Sequence, residues 1–208
     1  MSKRRVGKDA APRREPGETT SENTDERVRR SKAVILRTAS ELMIEKGVAG
    51  LSVDEVSQRS GVAKTTIYRH WRTRSDLVLA ACSSISTAQE TPDSGSFEGD
   101  LTALLLDLAH LLQTARWPLV LPSIIDAAER DPKLATLYSR EQQRHATPYL
   151  VVIERGRRTG DVSPKADAAT MVAQLVGPLF YRRWFSREPL DKSFVKGVLR
   201  NAIAKARP

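Results

Sequence analysis

One cysteine, three histidines and 5% aromatic residues in 208 leave this chain poorly supplied for several kinds of chemistry. With Cys82 alone, neither an intramolecular disulfide nor a cysteine zinc cage can form. The histidines stand far apart at 70, 110 and 145. There is no His-Glu-x-x-His, no Gly-x-Ser-x-Gly and no phosphate-cradling glycine loop. Paired acids such as Asp54-Glu55 fall at a helix start, where the macrodipole accounts for them. No catalytic residue, no metal site and no cofactor is therefore expected. No run approaches the ~18 apolar residues of a membrane span, and the first residues, MSKRRVGKDAAPRRE, lack the apolar centre of a signal peptide. A cytoplasmic protein without a membrane partner is the expectation.

Charge is the first positive feature, a formal +9 unevenly spread. Residues 26–76 hold 11 Lys/Arg against 6 Asp/Glu, and between Arg59 and Arg74 there are five basic residues and no acidic one. Such a concentration suits a polyphosphate partner. It overlies the stretch Leu51 to Leu77, LSVDEVSQRSGVAKTTIYRHWRTRSDL. Ser52 and Glu55 form a Ser-x-x-Glu capping box opening a short helix, with Val53 and Val56 as its apolar stripe. Gly61 can take the positive φ that a sharp inter-helix turn needs. From Ala63 to Trp71 a second helix puts Ile67 and Trp71 on one face at i,i+4, anchoring it to a core. Lys64, Thr65, Thr66, Tyr68, Arg69 and His70 are left on the other sides. This is the pattern of a helix-turn-helix whose second helix enters a DNA major groove.

Around this motif the chain reads as helical throughout. Residues 1–24 have almost no apolar side chains, which predicts a disordered arm. Its clusters Lys3-Arg4-Arg5 and Arg13-Arg14 can either follow DNA or remain solvated. Order is expected from Asp25, with Val28, Ile35, Ala39, Leu42 and Met43 at helical spacing to about Lys46 and Gly47 closing the helix. That completes a three-helix unit over residues 25–72. Thr73 to Asp76 is a second capping signal, opening a helix that leads into residues 73–208. After a loop from Thr91 to Gly99 come a leucine-rich helix (Leu101 to Leu112) and a helix from Trp117-Pro118. A long helix then runs from Asp131-Pro132 to about Arg157, and Pro148 should kink or split it. A further helix over 165–186 should bend at Gly177-Pro178, and Asp191 caps the last one. The predicted class is all-α, a helix-turn-helix domain joined to a helical bundle.

Four groups of residues carry a family resemblance. They are Leu51-Ser52-Val53, Gly61-Val62-Ala63-Lys64, Thr66-Ile67-Tyr68-Arg69-His70-Trp71 and Arg74-Ser75-Asp76-Leu77. Together they resemble the TetR family of transcriptional regulators. Farther on, Arg155-Gly156, Thr159-Gly160-Asp161, Gly177-Pro178-Leu179-Phe180-Tyr181 and Pro189-Leu190 are similar to the regulatory domain of one large subgroup. The resemblance implies that Lys64, Thr65, Thr66, Tyr68 and Arg69 meet DNA, and that Tyr68, His70 and Arg74 lie on phosphates. Arg69 can donate to guanine O6/N7, the threonines can touch a thymine methyl, and Ser52 at its helix N-terminus is a further phosphate candidate. Departures are Arg74 for a common Lys, Trp71 for Phe, and Ala63 for a frequent Ser, which leaves that helix without a side-chain cap.

The resemblance also implies a homodimer and a small-molecule effector. The last two helices are apolar enough to supply an interface from Leu175, Val176, Leu179, Phe180, Trp184, Phe194 and Val198. An effector pocket would be lined by Leu108, Leu112, Trp117, Leu121, Ile125, Tyr138, His145, Tyr149 and Met171, suiting a largely hydrophobic ligand. The expected activity is a sequence-specific regulator, a repressor by family default, released from a palindromic double-stranded DNA operator when ligand binding moves the helix after Thr73. An effector-independent architectural DNA-binding protein is the alternative.

Overall fold

The structure, a computed structural model, describes residues 18–85 and 89–206, with side chains from residue 25. Among these residues all regular structure is helical, and no helix is long and apolar enough to cross a membrane. The basic clusters expected in an N-terminal arm, Lys3-Arg4-Arg5 and Arg13-Arg14, lie outside the described residues.

The first helix, α1 (Glu18–Lys46), begins before the expected Asp25, so the predicted disordered arm does not extend to residue 24. No Gly or Pro occurs between Gly17 and Gly47 to interrupt it. Only its second half is packed: Ile35, Ala39 and Leu42 are fully buried. Val28, expected on the apolar stripe, is 37% exposed and lies outside the core. Gly47, at φ 72°, ends the helix.

Next come α2 (Val53–Ser60) and α3 (Lys64–His70), joined through Gly61 in the left-handed region at φ 70°. The Ser52 hydroxyl accepts the Glu55 amide at 3.1 Å, but the capping box is only half closed. The Glu55 carboxylate instead takes Lys46 Nζ at 2.7 Å and Arg59 Nη2 at 2.7 Å. Two ammonium and guanidinium groups outcompete a neutral amide for a carboxylate. Lys46, then Arg59, hold the Glu55 carboxyl below its usual range. Arg59 also reaches Glu45 at 2.7 Å, so α2 is clamped to the end of α1.

The box at Thr73 closes both ways: Asp76 Oδ2 accepts the Thr73 amide at 3.0 Å, and Thr73 Oγ1 accepts the Asp76 amide at 3.1 Å. It opens α4 (Arg74–Ile85). A first core gathers Ile35, Leu42, Val56 and Ile67 with Leu77, Val78 and Ala81 of α4, and it also takes in Val120 and Leu134. These last two belong to α6 (Trp117–Ala128) and α7 (Pro132–Thr159). Packing therefore runs continuously across the expected boundary at residue 72.

A second core joins α5 (Phe97–Thr114), α7, α8 (Ala168–Tyr181) and α9 (Lys192–Ala206). The helix α7 stays continuous across Pro148. A proline in a helix interior costs about 3 kcal/mol, but Tyr149, Val152 and Ile153 beside it are 1–2% exposed, and burying three such side chains outweighs that loss. Similarly α8 runs through Gly177-Pro178. Its irregularity comes later, in a π-helical turn over Arg182–Ser186 that ends at Arg187 with φ 56°.

Candidate functional site

Two sites emerge, one at α3 and one between the two cores. In α3, Ile67 is fully buried and fixes the rotation of a two-turn helix. Lys64, Thr65, Tyr68 and Arg69 are exposed along its outer side, with Thr66 and His70 half-buried. The structure thus brings Lys64, Thr65, Tyr68 and Arg69 together on an exposed surface, with Thr66 and His70 partly covered. Lys64 pairs with Asp54 across the turn at 2.7 Å, a surface contact worth little energetically. Ala63 makes no side-chain cap, as its lack of a hydroxyl implies. The His70 ring meets Trp71 edge-on at 5.6 Å. Burial, then the charges of Lys32 and Arg69, hold its pKa below the usual histidine value, so it is neutral at pH 7.

Arg74 is placed differently from the expectation. Its Nε donates to the Leu51 carbonyl at 2.6 Å, and its Nη2 donates to the carbonyls of Val48 and of Ala49, the latter at 3.0 Å. The guanidinium ties the start of α4 to the loop that presents Ser52. Its first role here is that of a strut, because three converging carbonyls make a better seat than solvent.

Between the cores lies a cavity of about 150 Å³. Of the nine residues expected to line it, Leu108, Trp117, Leu121, Tyr138, His145 and Tyr149 do so. Leu112 and Met171 are 1% and 3% exposed inside the second core, and Ile125 is 41% exposed to solvent. One residue is 100° on a helix. Leu111, Ile124 and Val172, adjacent to these three in sequence, are therefore the ones that face the cavity. Sequence reasoning missed Cys82 and Ile85 of α4, the loop residue Gln89, and Glu141, Gln142 and Ala146. Helical spacing from Tyr138 through His145 to Tyr149 was a usable signal for Glu141 and Gln142.

The cavity's polar groups gather on α7. His145 stacks against Trp117, ring centroids 6.5 Å apart. Burial, then Arg144, lowers its pKa, so the imidazole is neutral at pH 7. The Tyr149 hydroxyl donates to the Leu104 carbonyl at 3.2 Å and sits 3.3 Å from Gln89 Oε1. Burial pushes the Cys82 thiol up to about 12, which keeps it protonated and unreactive. Mostly apolar walls with a few polar groups, among them Glu141 ion-paired to Arg144, favour a largely hydrophobic occupant.

Comparison with known families decides what these two sites belong to. Residues 35–81 match the family described as bacterial regulatory proteins, tetR family, and residues 91–202 match the tetracyclin repressor-like C-terminal domain. The chain belongs to the TetR family of transcriptional regulators. It is a DNA-binding regulator, not an enzyme. The HTH-type transcriptional regulator YdeS of Bacillus subtilis is 30% identical over 171 residues, 81% of this chain and 86% of YdeS. The DNA-binding transcriptional repressor TetR of Mycobacteroides abscessus is 27% identical over 166 residues, 78% of this chain and 86% of that repressor. Among solved structures, the TetR family regulator SCO0332 shares 28% identity at a TM-score of 0.61, covering 86% of this chain and 99% of its own. The flavonoid-responsive regulator FrrA shares the fold at a TM-score of 0.69 and 18% identity, covering 86% of this chain and 98% of its own.

In this TetR-family chain the expected interface residues are distributed unlike the expectation. Leu175 and Leu179 are fully buried and Val198 is 8% exposed, all within the protomer's own core. Val176 and Phe180 line the cavity. Trp184 is half-buried against Phe180 at 5.4 Å, and Phe194 lies under the Arg182 guanidinium at 3.5 Å. The outward aromatics are instead Tyr181 and Phe185, 60% and 77% exposed and stacked at 5.7 Å. Gly177 of α8 and Gly197 of α9 each have no packing atom from elsewhere in the fold within 4 Å of where a Cβ would stand.

Proposed function

We propose that this TetR-family regulator is a homodimeric repressor, acting in the cytoplasm on a palindromic operator and released from it by a small, largely hydrophobic ligand. The single observation that carries the ligand part is the composition of the cavity wall. Cys82 and Ile85 come from α4, and Trp117, Leu121 and Ile124 from α6. Both helices also hold the DNA-binding core. Leu77, Val78 and Ala81 of α4 and Val120 of α6 are buried in it, and Ser123 Oγ accepts the Val48 amide at 3.2 Å. An occupant that displaces either helix shifts the seat of α2 and α3, and with it the separation of two recognition helices in a dimer.

The dimer reading rests on Tyr181, Phe185 and the two glycines. A glycine inside a helix costs about 1 kcal/mol relative to alanine. Nothing inside the protomer requires one at 177 or 197, whereas close approach of a second copy does. On DNA, Arg69 donates to a guanine edge, Thr65 and Thr66 touch bases, and Lys64, Tyr68, His70 and Ser52 hold phosphates.

Footprinting on DNA flanking the gene supplies the operator. Hydrophobic aromatic compounds are then screened for binding, with a Val176→Phe variant, which narrows the cavity, identifying those that occupy it. The expected result is that a cavity-bound compound weakens operator affinity a hundredfold or more, a coupling of roughly 3 kcal/mol. A compound that binds tightly in the cavity and leaves operator affinity unchanged would refute ligand release. Equal affinity for operator and random duplex would support the architectural alternative, whereas a ratio of ~10³ or more excludes it.

A further inference from the structure

The cavity between the cores adjoins a second hollow. On the surface beside it lies an open groove lined by Glu90, Pro92, Ala103, Leu104 and Asp107, and Gln89 and Leu111 line both. The two hollows follow one another along a single face of α5. Leu108 and Leu111 serve the cavity, while Leu104 and Asp107, one turn earlier, serve the groove. From Leu111 back to Asp107 is four residues, about 6 Å along the helix.

The side chain at the junction is Gln89, which is half-buried. Its Nε2 donates to the Leu104 carbonyl at 3.0 Å and to Asp107 Oδ2 at 2.8 Å. The Tyr149 hydroxyl, inside the cavity, donates to the same carbonyl at 3.2 Å and sits 3.3 Å from Gln89 Oε1. Cavity and groove therefore meet at one pair of acceptors, the Leu104 carbonyl and the Asp107 carboxylate. Such a pair demands donors from whatever occupies it. A carboxamide supplies two hydrogens but no charge. An ammonium supplies three donors and a positive charge, and so meets a carboxylate and a carbonyl better. Among the described residues that line the groove, none is basic.

We propose that the Leu104 carbonyl and the Asp107 carboxylate form a polar subsite at the end of the cavity, held in the free protein by the Gln89 amide and taken over by the ammonium group of an elongated hydrophobic amine. The inference rests on the reading of the cavity as an effector site and narrows the class of ligand it takes. The apolar body lies against Leu108, Trp117 and Phe180, a short alkyl chain passes Leu111, and the amine reaches Asp107 as Gln89 swings into the groove. A carboxylate of the same shape is turned away, because Asp107 repels it and no basic side chain of the groove offsets that repulsion.

The test is calorimetry of the full chain without DNA, using phenylbutylamine, phenylbutanol and phenylbutyrate as probes of one shape with three heads. The amine should bind about fivefold tighter than the alcohol, the upper range of a solvent-exposed charge pair, and the carboxylate should bind most weakly. Asp107→Asn should abolish the preference for the amine over the alcohol. Gln89→Ala should act in the opposite direction and tighten the amine by about threefold or more, because no amide has to be displaced. An alcohol that binds as well as the amine, a preference that survives Asp107→Asn, or an amine weakened by Gln89→Ala would each overturn the proposal. Failure of the amine to bind at millimolar concentration would do the same. Val176→Phe, which narrows the cavity, should weaken all three compounds; undiminished binding would place them outside it and sink the proposal as well. Operator affinity with the amine present reports on release separately. A preference for the amine that depends on Asp107 stands whether or not the operator is released.

Discussion

Replacing Arg74 distinguishes a structural strut from a phosphate contact, and the two readings differ on two measurements. In the structure its guanidinium serves three carbonyls, those of Leu51 at 2.6 Å, Ala49 at 3.0 Å and Val48. A hydrogen bond from a charged donor contributes about 1.5–3 kcal/mol where water is excluded. Arg74 is exposed to solvent, and the freed carbonyls can turn to water, so the three together are worth at most about 2 kcal/mol rather than the sum. At about 2–4 °C per kcal/mol for a chain of this size, Arg74→Ala should lower the thermal midpoint by about 4–8 °C, followed by circular dichroism. Operator affinity measured well below that midpoint should fall by a factor that does not depend on salt, because the loop carrying Ser52 has lost its anchor while no counterion is released. Arg74→Lys sharpens the comparison. It keeps the charge but has no planar fork to bridge three carbonyls, so the strut reading predicts that it behaves like alanine in the thermal assay. A midpoint within about 1 °C of the unaltered protein, joined to a salt slope reduced by ~0.9, would refute the strut and return Arg74 to the phosphates.

Gly156→Ala tests the packing of α5 on α7. A Cβ at that position would stand 2.6 Å from Phe97 Cδ2 and 3.1 Å from Val162 Cγ2. The gain of about 1 kcal/mol in helix propensity is outweighed by overpacking of about 1–3 kcal/mol, so the urea midpoint should fall; a rise would mean that Phe97 swings aside freely. His70 should couple binding to pH. Its pKa is held down in the free protein by burial, then by Lys32 and Arg69, and a neighbouring phosphate raises it on binding. Binding then takes up a proton, so operator affinity should increase as pH falls from about 7.5 to 6. If His70→Gln retains the same pH dependence, His70 does not face a phosphate.

What was legible in the sequence follows from the range of the forces involved. Ser52, Gly61, Thr73 with Asp76, Gly160 and Asp191 act within one helical turn, and each ends or opens a helix where local chemistry says it should. Ile67 was legible because α3 has a single apolar stripe. Partner choice was not. Glu55 turns from the Ser52 amide to Lys46, nine residues back, and Arg74 turns to a loop more than twenty residues away. The α8 helix fails for another reason. Met171, Val172, Leu175 and Leu179 form its inner stripe, while Pro178 and Tyr181, continued by Phe185 in the π-helical turn, form an outer one almost as apolar. Hydrophobicity alone cannot rank two apolar faces, and only the weak clue of Gly177 marks the side left for close approach.

The same magnitudes limit how a cavity occupant can act on α3. A hundredfold loss of operator affinity needs about 3 kcal/mol of preference for one arrangement of the helices over another. Among the described residues, hydrogen bonds tie the DNA-binding core to α6 and to the start of α7, from the Val48 amide to Ser123 at 3.2 Å and from Ser75 to Asp131 at 3.3 Å. The first joins neutral groups and the second is a long bond from a hydroxyl to a carboxylate, together worth about 2 kcal/mol, so breaking both falls short. The remainder has to come from apolar packing, and α6 supplies it. Val120, fully buried in the DNA-binding core, lies on the same helix as Trp117, Leu121 and Ile124 of the cavity wall. Exposing even half of a valine and part of Ile124 costs about 1–2 kcal/mol. Movement of α6 as a rigid body therefore carries more of the coupling than the polar contacts do. Removing the Ser123 hydroxyl alone should leave most of it intact.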